Sequence, residues 1–368
     1  MLKDILRKVD NALFTRKLPP PDDTKLNHYS YIHFNSYPLL NKFIPRALAE
    51  YLDEANKWVL RQYCYPYNGG CILEPDLGWA MTKKWELLPY SNFNKYEHHA
   101  PPPMYLKYLM RKKEIKLDKV ISINYSWNNY GHFLSDIIGQ LSLATSLGIG
   151  DAQIVVPAGL RDMAYFQGFM ELSSKFRSSN WYFQEAKTFI RTDEAYFLNA
   201  WWCHKNNFDA AIALLDKEVL ARNDLNGNNK IFVGRKNTRR IVNKEEVLAL
   251  LAKYGFEYVE VEHTSLEAQI KLFMNASHVI GIHGAALSSI IFRSGKPLKF
   301  MELYTDQYLD PFYYWICVQY GFPYAAMLCQ SVDEQGSVVT GKLNAAGAER
   351  FNLYVDVKEL ERTIEAFM

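Results

Sequence analysis

The sequence predicts an α/β protein built as two Rossmann-like halves that meet at a cleft. Three observations carry this. Strand-length apolar runs alternate with amphipathic stretches from about Lys119 onward, as in parallel strands joined by helices. A polar, turn-rich segment, Asp224-Leu225-Asn226-Gly227-Asn228-Asn229, separates two such series. The length, 368 residues, exceeds one average domain and suits two. We place an N-terminal domain at residues 1–225, a nucleotide-type Rossmann-like domain at 226–350 and a C-terminal helix at 351–368.

Taken in order, the first segment, MLKDILRKVDNALF, sets Leu2, Ile5, Leu6, Val9 and Leu13 at helical spacing with Lys3, Arg7 and Lys8 elsewhere on the wheel. It reads either as a helix docked on its own domain or as a membrane-surface helix that brings the protein to a lipid-linked acceptor. Residues 29–103 are aromatic and turn-rich, with short strands and loops. Lys119–Tyr125 then reads as a buried strand and Gly131–Leu147 as a helix. Ala152–Pro157 is the next strand, with a helix near Leu160–Leu172, strands at Trp181–Phe183 and Thr188–Leu198, and a helix through Phe208–Ala221. In the second series, strand Lys230–Gly234 leads to a helix with Asn243 and Glu246 as a capping box and Gly255 at its end. Strand Glu257–Val261 leads to a helix opened by Thr264. His278–Ile282 runs into a helix Gly284–Arg293. Strands Leu298–Leu303 and Tyr324–Leu328 and a terminal helix Val357–Phe367 follow.

The bulk properties exclude some functions. Forty-two Lys+Arg against 40 Asp+Glu leave +2, which is no polyelectrolyte binder, so no nucleic-acid partner is expected. Aromatics are 15% of the chain, with 25 Tyr, which suits sugar stacking although most should be core. Five cysteines without metal-ligand spacing, no signal-peptide pattern and no run of membrane-spanning length point to the cytoplasm, with peripheral membrane association open. Cys64 and Cys71 flank a turn and could bridge. His98-His99 lacks further ligands at zinc spacing, and no DxD, GxxxxGK[ST], GxGxxG or GxSxG motif occurs.

Three groups of residues could carry chemistry. His132 and Asp136, four apart at a helix start, share one face, and a His held by a carboxylate is arranged as a general base. The bland alternative is a solvent-facing cap pair. Arg235, Lys236, Arg239 and Arg240 follow a strand at the sheet edge where ligands of open α/β sheets bind. Arg chelates phosphate bidentately and Lys acts as a point charge, but Arg239 and Arg240 read equally as a solvated turn. His283-Gly284-Ala285-Ala286 opens a helix with small residues, where a pyrophosphate can approach three N–H groups. Glu302, at the next strand's end, is suited to both ribose hydroxyls or to a salt bridge.

The blocks YGHFLSD, VGRKNTRR with Asn243 and Glu245 after it, SLEAQIKLF, ASHVIGIHGAAL and FMELY resemble, in that order, the motifs of glycosyltransferase family 61. The resemblance is concentrated in residues 124–140 and 230–304. It implies a GT-B-like fold, two Rossmann-like domains facing each other across a cleft, and inverting transfer without an essential metal. By motif position it implies nucleotide and phosphate contacts from Arg235, His283, Gly284 and Glu302. The bacterial relatives associated with capsule and surface polysaccharides are the nearer pattern. The expected donor is a nucleoside-diphosphate sugar, UDP-linked first, with no cofactor, and the acceptor an oligosaccharide or lipid-linked glycan. His132, oriented by Asp136, would deprotonate the acceptor, with Asp136 itself as base a variant. Arg235, Lys236, Arg239 and the amides after His283, including Ala285, would hold the leaving diphosphate. A pyruvyl or other anionic-group transferase and a non-catalytic assembly protein are the alternative readings.

Overall fold

The computed structural model describes residues 2–19, 26, 28–33, 43–76, 78–91, 102–123, 128–221, 227–262 and 264–368. His98-His99 and Asp224–Asn226 lie outside these. The chain forms an α/β structure with two sheets, and its contacts divide it into two compact units. The first comprises Met1–Ile32, Leu60–Trp202 and Asn206–Leu215; the second His33–Val59, Cys203–Lys205 and Asp216–Met368.

The first unit's sheet holds, in chain order, β1 (Arg16–Lys17), β2 (His28–His33), β3 (Val59–Tyr67), β4 (Cys71–Leu73), β5 (Ala80–Thr82) and β6 (Glu86–Leu87). After these come β7 (Lys113–Ser122), β8 (Gln153–Pro157), β9 (Trp181–Gln184) and β10 (Thr188–Asn199). Strands β10-β7-β8-β9 are parallel neighbours; helices join β7 to β8 and β8 to β9, and residues 185–187 link β9 to β10. Strands β3 and β4 add to β10 antiparallel and β5 continues the meander, so this sheet is mixed rather than a plain Rossmann half. Strand β7 starts six residues before the expected Lys119, because KEIKLDK alternates and sets Ile115 and Leu117 toward the core beside Leu73 and Phe197. A helix, Arg46–Ala55, went unpredicted within residues 29–103; Leu48 and Leu52 are fully buried. The expected helix Phe208–Ala221 is two, Lys205–Leu214 and Lys217–Ala221.

The second unit's sheet follows the expected alternation. Its strands are β11 (Asn229–Val233), β12 (Phe256–Val259), β13 (Ala276–Ile282), β14 (Lys299–Thr305), β15 (Tyr324–Val332) and β16 (Asn352–Tyr354). The order is β12-β11-β13-β14-β15-β16, all parallel except the last. Helices Lys244–Lys253 and Val357–Phe367 bury Val247, Leu250, Leu251, Leu360, Ile364 and Phe367 in one core with Ile280, Met301 and Met327. Residues near position 50 complete this unit: Asn56 Oδ1 accepts from Trp315 Nε1 at 2.8 Å, and Ala326 N donates to Phe43 O at 3.0 Å.

Four local expectations are corrected. Asn243 caps no N–H of its helix, although its Nδ2 donates to Glu246 Oε2 at 3.3 Å; its amide pairs chiefly with Val355, donating to O at 2.8 Å and accepting from N at 3.1 Å. A long-range backbone partner thus outcompetes the local capping box. The second helix is capped by Ser265, whose Oγ accepts from Ala268 N, instead of by Thr264. Residues Ala285–Arg293 form a 3₁₀ helix, not an α-helix. All five cysteines are buried free thiols, so Cys64 and Cys71 are not bridged.

Candidate functional site

The first unit supplies one of two clusters. After β7 the chain re-enters helix at Tyr130, where Asn129 Oδ1 accepts from His132 N at 3.2 Å and sets the first turn. Phe133–Ile137 is a single π turn, closed by Ile138 N on Phe133 O. A π turn inserts a residue, so 3.6-periodicity read across it drifts by a position: Leu141 is only half-buried, whereas Gln140 is buried. Phe133, Leu134, Ile137 and Ile138 are fully buried and anchor this turn.

On it, His132 Nδ1 meets Asp136 Oδ2 at 2.8 Å. The imidazole is 30% exposed and the carboxylate 8%, so the acid sits behind the base. Trp202 lies nearly parallel to the imidazole, with 6.5 Å between centroids. With Nδ1–H donating to Asp136, the basic lone pair is on Nε2.

The second cluster stands at the switch point of the second sheet. From β11 the chain goes first to β12 on one side and later to β13 on the other, so the loops after β11 and β13 flank the crevice that binds ligands in open α/β sheets. Arg235 follows β11 and His283 follows β13. The Arg235 guanidinium is held by oxygens of other groups: Nε donates to Thr238 O at 3.1 Å, Nη2 to Thr238 Oγ1 at 3.4 Å and Nη1 to His283 O at 3.4 Å. A Cβ on Gly284 would overlap Nη1, with Cζ at 2.9 Å, so only glycine leaves room for this arginine.

Arg239 lies close enough to Arg235 for the two charges to repel. Burial first, and then Arg235, bring its guanidinium down to about 10, and its Nε is buried with no hydrogen-bond partner. Burial also lowers Arg235. Arg239 holds φ 57, an uncommon left-handed conformation for a residue with a side chain, of the kind that clusters at binding sites. Two desolvated guanidiniums that make no ion pair among the described residues, with Glu262 and Glu349 acting on them only from a distance, make a strongly anion-seeking place.

His283 is buried and walled by Tyr304, Tyr308 and Tyr313, with centroids 5.2, 5.4 and 5.3 Å away. Its Nδ1 is 2.5 Å from Glu302 Oε1. Glu302 is completely buried, and its other oxygen accepts from Tyr324 O–H at 2.8 Å. Burial drives both groups toward neutrality: it takes the imidazole down to about 3, with Arg239 and Arg235 adding to the fall, and the carboxyl up to about 8. We therefore read this contact as a hydrogen bond between neutral groups rather than an ion pair. The 3₁₀ helix closes with Leu287 N on Gly284 O at 2.9 Å, a turn in which the amides of Ala285 and Ala286 take no part, two instead of the expected three. Tyr313 O–H donates to Gly284 O at 2.6 Å and fixes that peptide.

Lys236 is exposed and lines, with Arg235, Arg240, Lys244, Tyr258 and Glu260, a cavity of about 420 Å³ beside the strand end. Each predicted residue therefore has a definite place: His132 with Asp136 in one unit, and Arg235 with Arg239, His283, Gly284, Ala285 and Glu302 in the other, Lys236 being at the cavity. The tyrosines around His283 were missed. Their signal is the aromatic run LYTDQYLDPFYYW, whose pattern gives it no role in the sequence alone. Among the described residues no group of three His, Cys, Asp or Glu could hold a metal ion.

The family model described as Glycosyltransferase 61 matches residues 130–300, a span that includes every predicted site residue except Glu302. No curated protein matches the chain.

Proposed function

We propose that this chain, whose residues 130–300 match the family model described as Glycosyltransferase 61, is a glycosyltransferase that carries out inverting transfer of a sugar from a nucleoside-diphosphate donor to a glycan hydroxyl. The observation that carries the donor assignment is the pair of desolvated arginines at the switch point, Arg235 and Arg239, neither in an ion pair among the described residues. A diphosphate offers each guanidinium charged oxygens and relieves their mutual repulsion.

In this reading His132 Nε2 takes the acceptor proton as that oxygen attacks the anomeric carbon. The bond from that carbon to the diphosphate oxygen breaks on the opposite face, and the configuration inverts. Asp136, behind the imidazole, orients it and stabilises the imidazolium, which favours an orienting role over that of direct base. Arg235, Arg239 and the Ala285 and Ala286 amides stabilise the leaving diphosphate, and Lys236 adds a mobile charge.

Glu302 then acts through His283 rather than on a ribose. Tyr324 donates to Oε2, and the protonated carboxyl donates from Oε1 to His283 Nδ1, so that Nε2–H of His283 is a fixed donor toward the phosphate. The GT-B arrangement, a UDP-sugar donor and an acceptor in surface polysaccharide belong to the same proposal and rest on the family resemblance.

The test is a thermal-shift series with UDP, GDP, CDP, ADP and phosphoenolpyruvate on the wild type and on Arg235→Ala and Arg239→Ala. Stabilisation by one nucleoside diphosphate, lost in both variants, is expected. A response to phosphoenolpyruvate alone would replace the donor class, and no response to any would end the reading. The anomeric configuration of the product, read by NMR, tests inversion.

A further inference from the structure

The helix Leu2–Leu13 is mounted inside out. Its docked side is polar: Asp10 is completely buried, accepting from Thr15 Oγ1 at 2.7 Å and from Leu106 N at 2.8 Å. Asp10 thereby caps the first turn of the helix Met104–Leu109. The apolar side faces outward, with Ile5, Leu6, Val9, Leu13 and Phe14 between 42% and 68% exposed. A soluble terminal helix buries that stripe against its own domain, and this one anchors itself by an aspartate instead. Phe14 stacks on Tyr105 at 4.4 Å, joining it to the neighbouring helix, whose end adds Leu109 and Met110, 56% and 67% exposed.

Charge identifies the occupant. The stretch Met104–Lys113, MYLKYLMRKK, carries four cations, of which Lys107 is paired with Glu74 and Asp76 and Arg111 with Glu114, leaving Lys112 and Lys113. Lys8, Lys112 and Lys113 are exposed and make no ion pair among the described residues. A second copy laid on this face would bring a second set of these unpaired lysines into the same interface, which like charge opposes. An anionic lipid headgroup layer accepts them, while the apolar side chains enter the acyl boundary. Twelve residues give a helix of about 18 Å, which suits lying in the interface and is too short to cross it.

We infer that the outward face of the helix Leu2–Leu13, with Leu109, Met110 and the adjoining lysines, docks the protein on an anionic lipid bilayer. This does not depend on the donor assignment. A membrane partner would place the protein where a lipid-linked acceptor is presented.

Full-length protein is to be sedimented with vesicles of phosphatidylcholine alone and of equimolar phosphatidylcholine and phosphatidylglycerol. Binding to the anionic vesicles, weakened by salt, is expected, with at least about a tenfold lower partition for Leu6→Glu/Val9→Glu, which removes apolar insertion and adds repulsion. Lys112→Glu/Lys113→Glu should abolish the preference for anionic vesicles. These positions are exposed, and unchanged thermal melting shows that the fold persists. Absence of binding, equal binding to both vesicles, or binding indifferent to the double glutamate would overturn the inference. So would a concentration-dependent dimer in ultracentrifugation that Leu6→Glu/Val9→Glu dissociates, since the face would then pair two copies.

Discussion

Arg235 and Gly284 occupy space that only one side chain can fill: the guanidinium lies where a Cβ on residue 284 would be. The extended backbone of Gly284, φ 165, is open to any residue, so its requirement is steric. Gly284→Ala should swing Arg235 aside without unfolding the sheet. Binding of the nucleoside diphosphate, measured by calorimetry, should fall about 10–100-fold, the worth of one charge-assisted phosphate contact. Because both changes remove the same contact, Gly284→Ala/Arg235→Ala should cost little more than Arg235→Ala alone. Full additivity would place the two residues in separate roles.

His132→Ala should lower kcat by about 10²–10⁴ while leaving donor affinity unchanged, as befits a base that touches the acceptor proton only. Asp136→Asn should also lower kcat, by less, since the imidazole remains. Isothermal titration and initial rates on the same preparations separate binding from chemistry. Transfer near the wild-type rate in His132→Ala would remove it from the mechanism.

Glu302 and His283 make stability depend on pH in opposite directions. The carboxyl, raised to about 8 from 4.5, binds an extra proton in the folded state, so its burial becomes more costly as pH rises from 4.5 to 8. The imidazole, lowered to about 3 from 6.5, costs stability as pH falls through that interval. Glu302→Gln removes the first effect, while its amide still donates to Nδ1 and its carbonyl still accepts from Tyr324. It should melt at least about 3 °C above wild type at pH 8, with the gap closing toward pH 4.5. Its nucleotide affinity should persist at pH 9, where the wild type loses its own. A lower melting point at pH 8 would mean that the carboxylate form is the one the fold uses.

Donor binding through guanidiniums and amides needs no divalent bridge, so EDTA should leave nucleotide affinity and transfer rate within about twofold, a change below 0.5 kcal/mol. Strict dependence on an added divalent cation would refute this picture.

The second sheet was legible because each of its parallel strands is a short apolar run flanked by a helix with its own stripe. Strands β11 to β15 start within about two residues of their predicted positions, an ordinary margin for boundaries. The first sheet was less so: β3 to β6 are short strands that draw stability from cross-strand pairing, which leaves no periodicity long enough to read. The π turn beneath His132 has no local signature. The His132–Asp136 contact was readable from spacing alone, whereas that of Glu302 with His283 needed the register, Gly281 opposite Glu302, that brings them together. Asn243 shows the reverse failure: it keeps its local partner Glu246, but its oxygen goes to Val355 N instead of to a helix N–H.

The composition of the second unit also has a consequence for synthesis on the ribosome. Residues near position 50 belong to a body whose remaining strands emerge more than 150 residues later, and whose helix Val357–Phe367 comes last. At roughly 5–20 residues per second, Leu48 and Leu52 wait on the order of 15–60 s for the unit to be completed. During that interval the amphipathic segment Arg46–Ala55 is a chaperone target, and slowing translation after residue 59 should lengthen its exposure.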